Sequence, residues 1–146
     1  MPPYEISTDA SRLDITAIHR YLSTAYWSVG VPITTVERAV ANSLCVGAYL
    51  NGAQIGFARV VTDKATFAYL ADVYVLEEHR GKGISKAMLH SLFQLQDLQG
   101  LRRLLLVTRD AHALYEKFGF KQLSAPTRFM ELINPNAYWP LPNSAA

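Results

Sequence analysis

The sequence predicts a mixed α/β (α+β) domain, in which one central, mostly antiparallel sheet of about 6–7 strands is flanked by about four helices. Three observations carry that prediction. Half of the 146 residues are apolar, enough to fill a single core. Apolar positions recur at helical spacing up to Val40 and switch to strand alternation from Val46. Asn51-Gly52 then sits between two alternating runs, the strongest short hairpin signal a sequence offers.

The elements follow in chain order. Tyr4–Ser7 reads as a first strand, and Asp9 with Ser11 suits a turn. Asp14 can cap a helix whose apolar stripe is Ile15, Ile18, Leu22 and Tyr26. Gly30 and Pro32 break it. A second helix starts near Thr34 or Thr35 and carries Val36, Ala39, Val40 and Leu44. Val46–Leu50 and Ile55–Val61 form the hairpin, and Phe67–Val75 is long and apolar enough to be a central third strand of it. Gly81–Ser85 opens a third helix with Ile84, Ala87, Met88, Leu92 and Leu95 inward. Leu104–Val107 is a short buried strand, Asp110–Phe118 a last helix closed by Gly119, and Phe120–Leu123 with Phe129–Ile133 a closing pair of strands. The domain thus spans residues 1–133, and residues 134–146 form a proline-punctuated tail.

Composition narrows the function. Charged residues make up only 18%, and the formal net charge is +2, which argues against disorder and against a nucleic-acid partner. Cys45 is the single cysteine, so no internal disulfide forms. No apolar run is long enough to span a bilayer, and the first residues lack a signal-peptide pattern, so the expected place is the cytoplasm, with no membrane partner. His19, His79, His90 and His112 have no ligand spacing, so no metal is expected. Cys45, in a hairpin strand, reads as a small core residue.

His79-Arg80-Gly81-Lys82-Gly83-Ile84-Ser85 lies where a buried strand passes into a helix. Two glycines let the backbone turn tightly, the first helical turn presents unpaired N–H groups, and Arg80 and Lys82 add positive charge. That combination suits a pyrophosphate. It is not a Walker A loop, because Leu76 stands in place of the first glycine and Gly83 in place of the Ser/Thr. It is not a dinucleotide fingerprint, because Lys86 holds the third glycine position.

The run Val73–Leu89 strongly resembles motif A of the GNAT superfamily of N-acetyltransferases, Q/R-x-x-G-x-G/A, with Arg80, Gly83 and Ser85 at the defined positions; Ser85 departs from the usual Gly or Ala. Ala111–Phe120 is similar to motif B, A-x-x-L-Y-x-x-x-G-F, while Thr108 stands where relatives often carry Asn. The resemblance covers roughly residues 4–133. It implies a V-shaped splay between the strand ending at Val75 and the strand from Leu104. It further implies acetyl-CoA as cosubstrate, with its pantetheine along Val73–Val75 and near Thr108. Its pyrophosphate would lie on Arg80, Gly81, Lys82, Gly83, Ile84 and Ser85. The Val75 amide would polarise the thioester, and Tyr115 would be the general acid for the departing thiolate.

The attacking amine has a pKa of about 10 and needs help to lose its proton. Asp72 is the best-placed carboxylate; relatives have a Glu one position earlier, where Ala71 stands, and His112 is an alternative. Tyr21, Tyr26, Trp27, Arg59 and Tyr69 are candidates for the acceptor pocket, and aromatic residues at helical spacing are more often core. Arg59 suits a substrate carboxylate or a structural ion pair. The expected reaction is N-acetylation of a small-molecule amine by direct attack. The alternatives are a protein or peptide acetyltransferase and a non-catalytic acyl-CoA sensor. Tyr138, Trp139 and Leu141 in the tail suggest a docked tail or a homodimer.

Overall fold

The computed structural model describes residues 3–138. They fall into two compact units, the first ending at Val107 and the second beginning at Thr108.

The first unit opens with β1 (Tyr4–Ser7) and a 3₁₀ turn, Ala10–Arg12, capped by Asp9. Helix α1 runs Ile15–Leu22 with the Asp14 carboxylate accepting the Ala17 N–H at 3.0 Å, and it buries Ile18 and Leu22. It stops four residues short of Tyr26. The Ser28 hydroxyl donates to the Leu22 carbonyl at 2.6 Å, and the Gly30 N–H donates to Ser23 at 2.8 Å. Those bonds satisfy the helix's last carbonyls and turn the chain away. Tyr26 and Trp27 therefore lie in the α1–α2 connection instead of on a helix face. Helix α2 (Ile33–Ala41) buries Val36, and Leu44 begins a strand where the helical stripe predicted one more turn.

Five strands form one sheet in the order β1-β2-β3-β4-β5. β2 (Leu44–Leu50), β3 (Ala53–Thr62) and β4 (Phe67–Val75) make an antiparallel meander extended by β1. Asn51 (φ 51°) and Gly52 (φ 85°) both adopt positive φ, as a two-residue hairpin turn requires. β5 (Arg103–Leu105) pairs parallel with β4; it begins one residue earlier and ends two residues earlier than expected. Helix α3 (Ile84–Phe93) packs Met88, Leu89 and Leu92 on one face of the sheet. Helices α1 and α2 cover Cys45, Phe57 and Tyr74 on the other.

The second unit holds α4 (His112–Glu116), shorter at both ends than the predicted Asp110–Phe118. The Thr108 hydroxyl accepts the Ala111 N–H at 3.0 Å, and Gly119 (φ 94°) returns its N–H to Glu116. The predicted closing strands Phe120–Leu123 and Phe129–Ile133 do not form; a 3₁₀ turn, Pro126–Arg128, lies between the two runs. An apolar run becomes a strand only where a ladder partner takes its backbone groups. Neither run is a strand among the described residues, and Met130 and Leu132 stand 97% and 98% exposed. Among the described residues the sheet accordingly has five strands, not 6–7. Of the tail's apolar residues Tyr138 is exposed, and Trp139 and Leu141 lie outside the described residues. No helix among the described residues is long and apolar enough to cross a membrane.

Candidate active site

The site begins where β4 loses a neighbour. Among the described residues β5 pairs with Phe67, Ala68 and Tyr69, so from Leu70 to Val75 β4 has β3 on one side and no described strand on the other. The pairing ends there because β5 itself ends at Leu105, which leaves the last residues of β4 without a partner on that side among the described residues. A bulge lies in this stretch: Phe57 faces Tyr74 and Arg59 faces Ala71, leaving one residue of β3, Ala58, against two of β4, Asp72 and Val73. Asp72 absorbs the extra residue at φ 56°, a left-handed conformation uncommon outside glycine and asparagine. Beyond the bulge, the Leu76 N–H donates to Ile55 on β3 at 2.9 Å. Strand alternation then points the Val75 N–H and carbonyl away from β3. The carbonyl accepts from Arg80 Nε at 2.8 Å on that side, and the Val75 N–H faces the same opening.

The chain next turns through Glu77–His79 into the glycine pair. Gly81 and Gly83 have φ of 79° and 77°, and Gly83 is the N-cap of α3. A Cβ at either would meet nothing within 4 Å, so backbone conformation, not crowding, requires glycine. The first-turn amides of α3, Ile84 and Ser85 among them, point out of the helix start beside exposed Lys82. Arg80 is turned differently from the expectation of a phosphate ligand. Its Nε holds the Val75 carbonyl and its Nη2 donates to the Tyr21 hydroxyl at 3.1 Å, tying the end of β4 to α1.

On the α1–α2 face, residues distant in sequence converge. Asp72 accepts from Arg59 Nε at 2.6 Å on one carboxylate oxygen and from the Trp27 indole N–H at 2.8 Å on the other. Arg59 also donates through Nη1 to the Ser43 hydroxyl at 3.2 Å. Trp27 and Tyr26 meet edge-on at 5.1 Å, and both are substantially exposed. Tyr21 stacks on Tyr74 at 4.0 Å, with Trp27 6.4 Å from Tyr21. Burial raises the Tyr74 hydroxyl's pKa and pushes the Cys45 thiol up to about 12, so Cys45 is no nucleophile at neutral pH. Tyr69, expected with this group, sits in the paired stretch of β4 opposite Leu105. Sequence reasoning missed Ser43 and Tyr74, and it treated Asp72 and Trp27 separately. Their link spans 45 residues and leaves no local signal.

In the second unit, Tyr115 is buried on α4 with Phe120 edge-on at 6.0 Å, and Thr108 serves the turn before that helix. Among the described residues no cluster of three or more His, Cys, Asp or Glu is arranged to hold a metal.

The sequence matches the family described as Acetyltransferase (GNAT) domain over residues 41–122. It is 36% identical over 135 residues to a Gibberella zeae relative that carries an acetyltransferase name, covering 78% of this chain and 76% of that protein. A crystal structure of a GNAT-family protein from Xanthomonas campestris is 49% identical, with a TM-score of 0.91 over 96% of this chain and 99% of that one. A Clostridium acetobutylicum acetyltransferase structure that contains acetyl-CoA shares the fold, with a TM-score of 0.65 at 19% identity over 89% and 94% of the two chains. The glycine-bearing turn, the unpaired end of β4 and these similarities agree, and this chain belongs to the GNAT acetyltransferase family.

Proposed function

We propose that this chain transfers the acetyl group of acetyl-CoA to the primary amine of a small molecule, by direct attack in a ternary complex. One observation carries the reading: β4 ends in an outward-facing amide at Val75 a few residues before a glycine-bearing helix start. The Val73–Val75 edge can hydrogen-bond an amide-bearing pantetheine arm without breaking a ladder. The amides of Gly81 to Ser85, with Lys82, suit its pyrophosphate. A thioester carbonyl against the Val75 N–H is polarised, and the oxyanion that develops on attack is stabilised. Tyr115, at the motif's position, donates a proton to the departing thiolate. A free phenol and a free thiol, at about 10 and about 8.5, are close enough in acidity for such a transfer.

Asp72 fits the role of base poorly, since both of its oxygens already accept hydrogen bonds. The deciding experiment is a panel of amines, amino acids, polyamines and peptides with acetyl-CoA, following free CoA thiol. Release driven only by peptides would favour protein acetylation, and tight CoA binding without release would favour a sensor. Self-association through the exposed C-terminal apolar residues is a further part of this reading. Light scattering of the full chain and of a chain ending at Ile133 tests it, and two monomeric masses would remove it.

A further inference from the structure

The ion pair between Arg59 and Asp72 has a use that acetyl transfer alone does not require. We infer that Asp72 is a positioning residue: held by Arg59, it fixes the Trp27 indole beside the open edge of β4 and makes that ring the wall that selects the acceptor. The inference rests on the acetyltransfer reading above.

Four facts support it. Asp72 adopts φ 56° at the bulge, immediately before the edge residues Val73–Val75. Its carboxylate is only 12% exposed and has one bond to each partner, so its charge is neutralised and its geometry fixed from two sides. Arg59 is itself held by Ser43, so the clamp is anchored at the α2–β2 junction and does not follow the loop. Trp27 belongs to the α1–α2 connection and is tied to β4 through this indole bond, yet it remains 39% exposed and is met edge-on by Tyr26 at 55%.

The chemistry of the wall follows. Two aromatic faces stand beside a carboxylate whose charge is already balanced. A polyamine finds no free anion there, and an acceptor carboxylate would have to displace Asp72 from Arg59. An amine carried on an aromatic or aliphatic frame loses nothing and gains contact with the indole. Trp27 is therefore a specificity-determining residue, and the preferred acceptors are arylalkyl and alkyl monoamines that carry no second charge.

The test compares Asp72→Gly with Asp72→Asn. Glycine accepts the bulge conformation and removes the carboxylate; asparagine also tolerates it and keeps one acceptor oxygen. Positioning predicts that Asp72→Gly lowers kcat/KM for phenethylamine about tenfold, mostly through KM for the amine. Acetyl-CoA KM should hold, and Asp72→Asn should recover part of the loss. The pH–rate profile should keep its acidic limb in both. A base predicts instead that both variants lose roughly 10²–10⁴ in kcat together with that limb, and this result would overturn the inference. A readout independent of turnover uses the two tryptophans: with Trp139→Phe as background, Trp27 is the sole emitter. Removing Asp72 should then shift its emission to longer wavelength and increase acrylamide quenching; unchanged emission would overturn the clamp. Preference for spermidine over phenethylamine in the wild type would overturn the specificity assignment. A wild type silent toward every amine would sink the acetyltransfer reading itself and the specificity role with it, while the emission comparison still decides the clamp.

Discussion

Arg80–Ser85 is one uninterrupted stretch of chain, whereas the acceptor wall gathers Trp27, Ser43, Arg59 and Asp72 from a loop, a junction and two strands. The first is built from backbone: positive-φ glycines and the amides of a helix start. The second is built from side chains holding one another across the sheet face. A backbone site depends on the residues that turn it and tolerates change elsewhere. A side-chain site depends on every partner and fails when any one is removed.

The largest expected effect tests whether motif position alone can assign chemistry. Tyr115→Phe keeps the ring beside Phe120 and removes only the hydroxyl. Turnover should fall by roughly 10²–10⁴ with CoA affinity retained; steady-state kinetics and calorimetry read both. Turnover within a factor of two of wild type would pass the acid's role to water or His112.

If the cradle is local, damage to it should stay local. Gly83 sits at φ 77° with open space around its missing Cβ, so Gly83→Trp strains the turn without displacing neighbours. CoA affinity should drop about 100-fold or more, equivalent to ~2.7 kcal/mol, while circular dichroism shows a folded chain. Unchanged affinity by calorimetry would mean that the pyrophosphate lies elsewhere. The acceptor side should behave oppositely. Trp27→Phe loses one hydrogen bond to Asp72, costing about 1 kcal/mol or roughly fivefold in kcat/KM for the amine, with CoA binding unmoved.

Both regions rest on the same sheet, and its packing sets a common limit. A Cβ at Gly47 would clash with the Tyr49 hydroxyl, which is buried and has no hydrogen-bond partner among the described residues. Gly47→Ala should therefore cost about 1–3 kcal/mol in urea unfolding while leaving the kinetics of the folded enzyme intact.

A pH dependence of stability, confined to alkaline conditions, is also expected. The folded Cys45 thiol is pushed up to about 12 by burial from an ordinary value of 9.0, and Tyr74 is raised by the same cause. Between about pH 9 and 12 the unfolded chain loses the thiol proton and the folded chain keeps it, so stability falls as pH rises, by at most ~1.4 kcal/mol per unit for one group. Cys45→Ala should flatten part of that slope. An identical slope would assign all of it to tyrosines.

Particular elements show where the sequence was legible. The Asn51-Gly52 turn, the Asp14 cap and the Gly81/Gly83 pair were readable because each is a local conformational demand that only a few residue types meet. Phe129–Ile133 has a strand-forming pattern but does not form a strand, because alternation states a preference and pairing decides the outcome. Tyr26 was placed on a helix because its spacing fits, but Ser28 and Gly30 satisfy the final carbonyls first.

By itself, then, the sequence determined the hairpin, the amphipathic helices, the glycine-bearing helix start and the two family motifs, since each is set by torsional preference or by apolar periodicity within a few residues. Tertiary structure alone decided that β5 leaves β4 after Tyr69, that Asp72 takes the bulge, that Arg80 turns back onto Val75 and Tyr21, and that Trp27 meets Asp72. Those contacts depend on which side chains the closed sheet brings within hydrogen-bond reach, a distance that no spacing along the chain encodes.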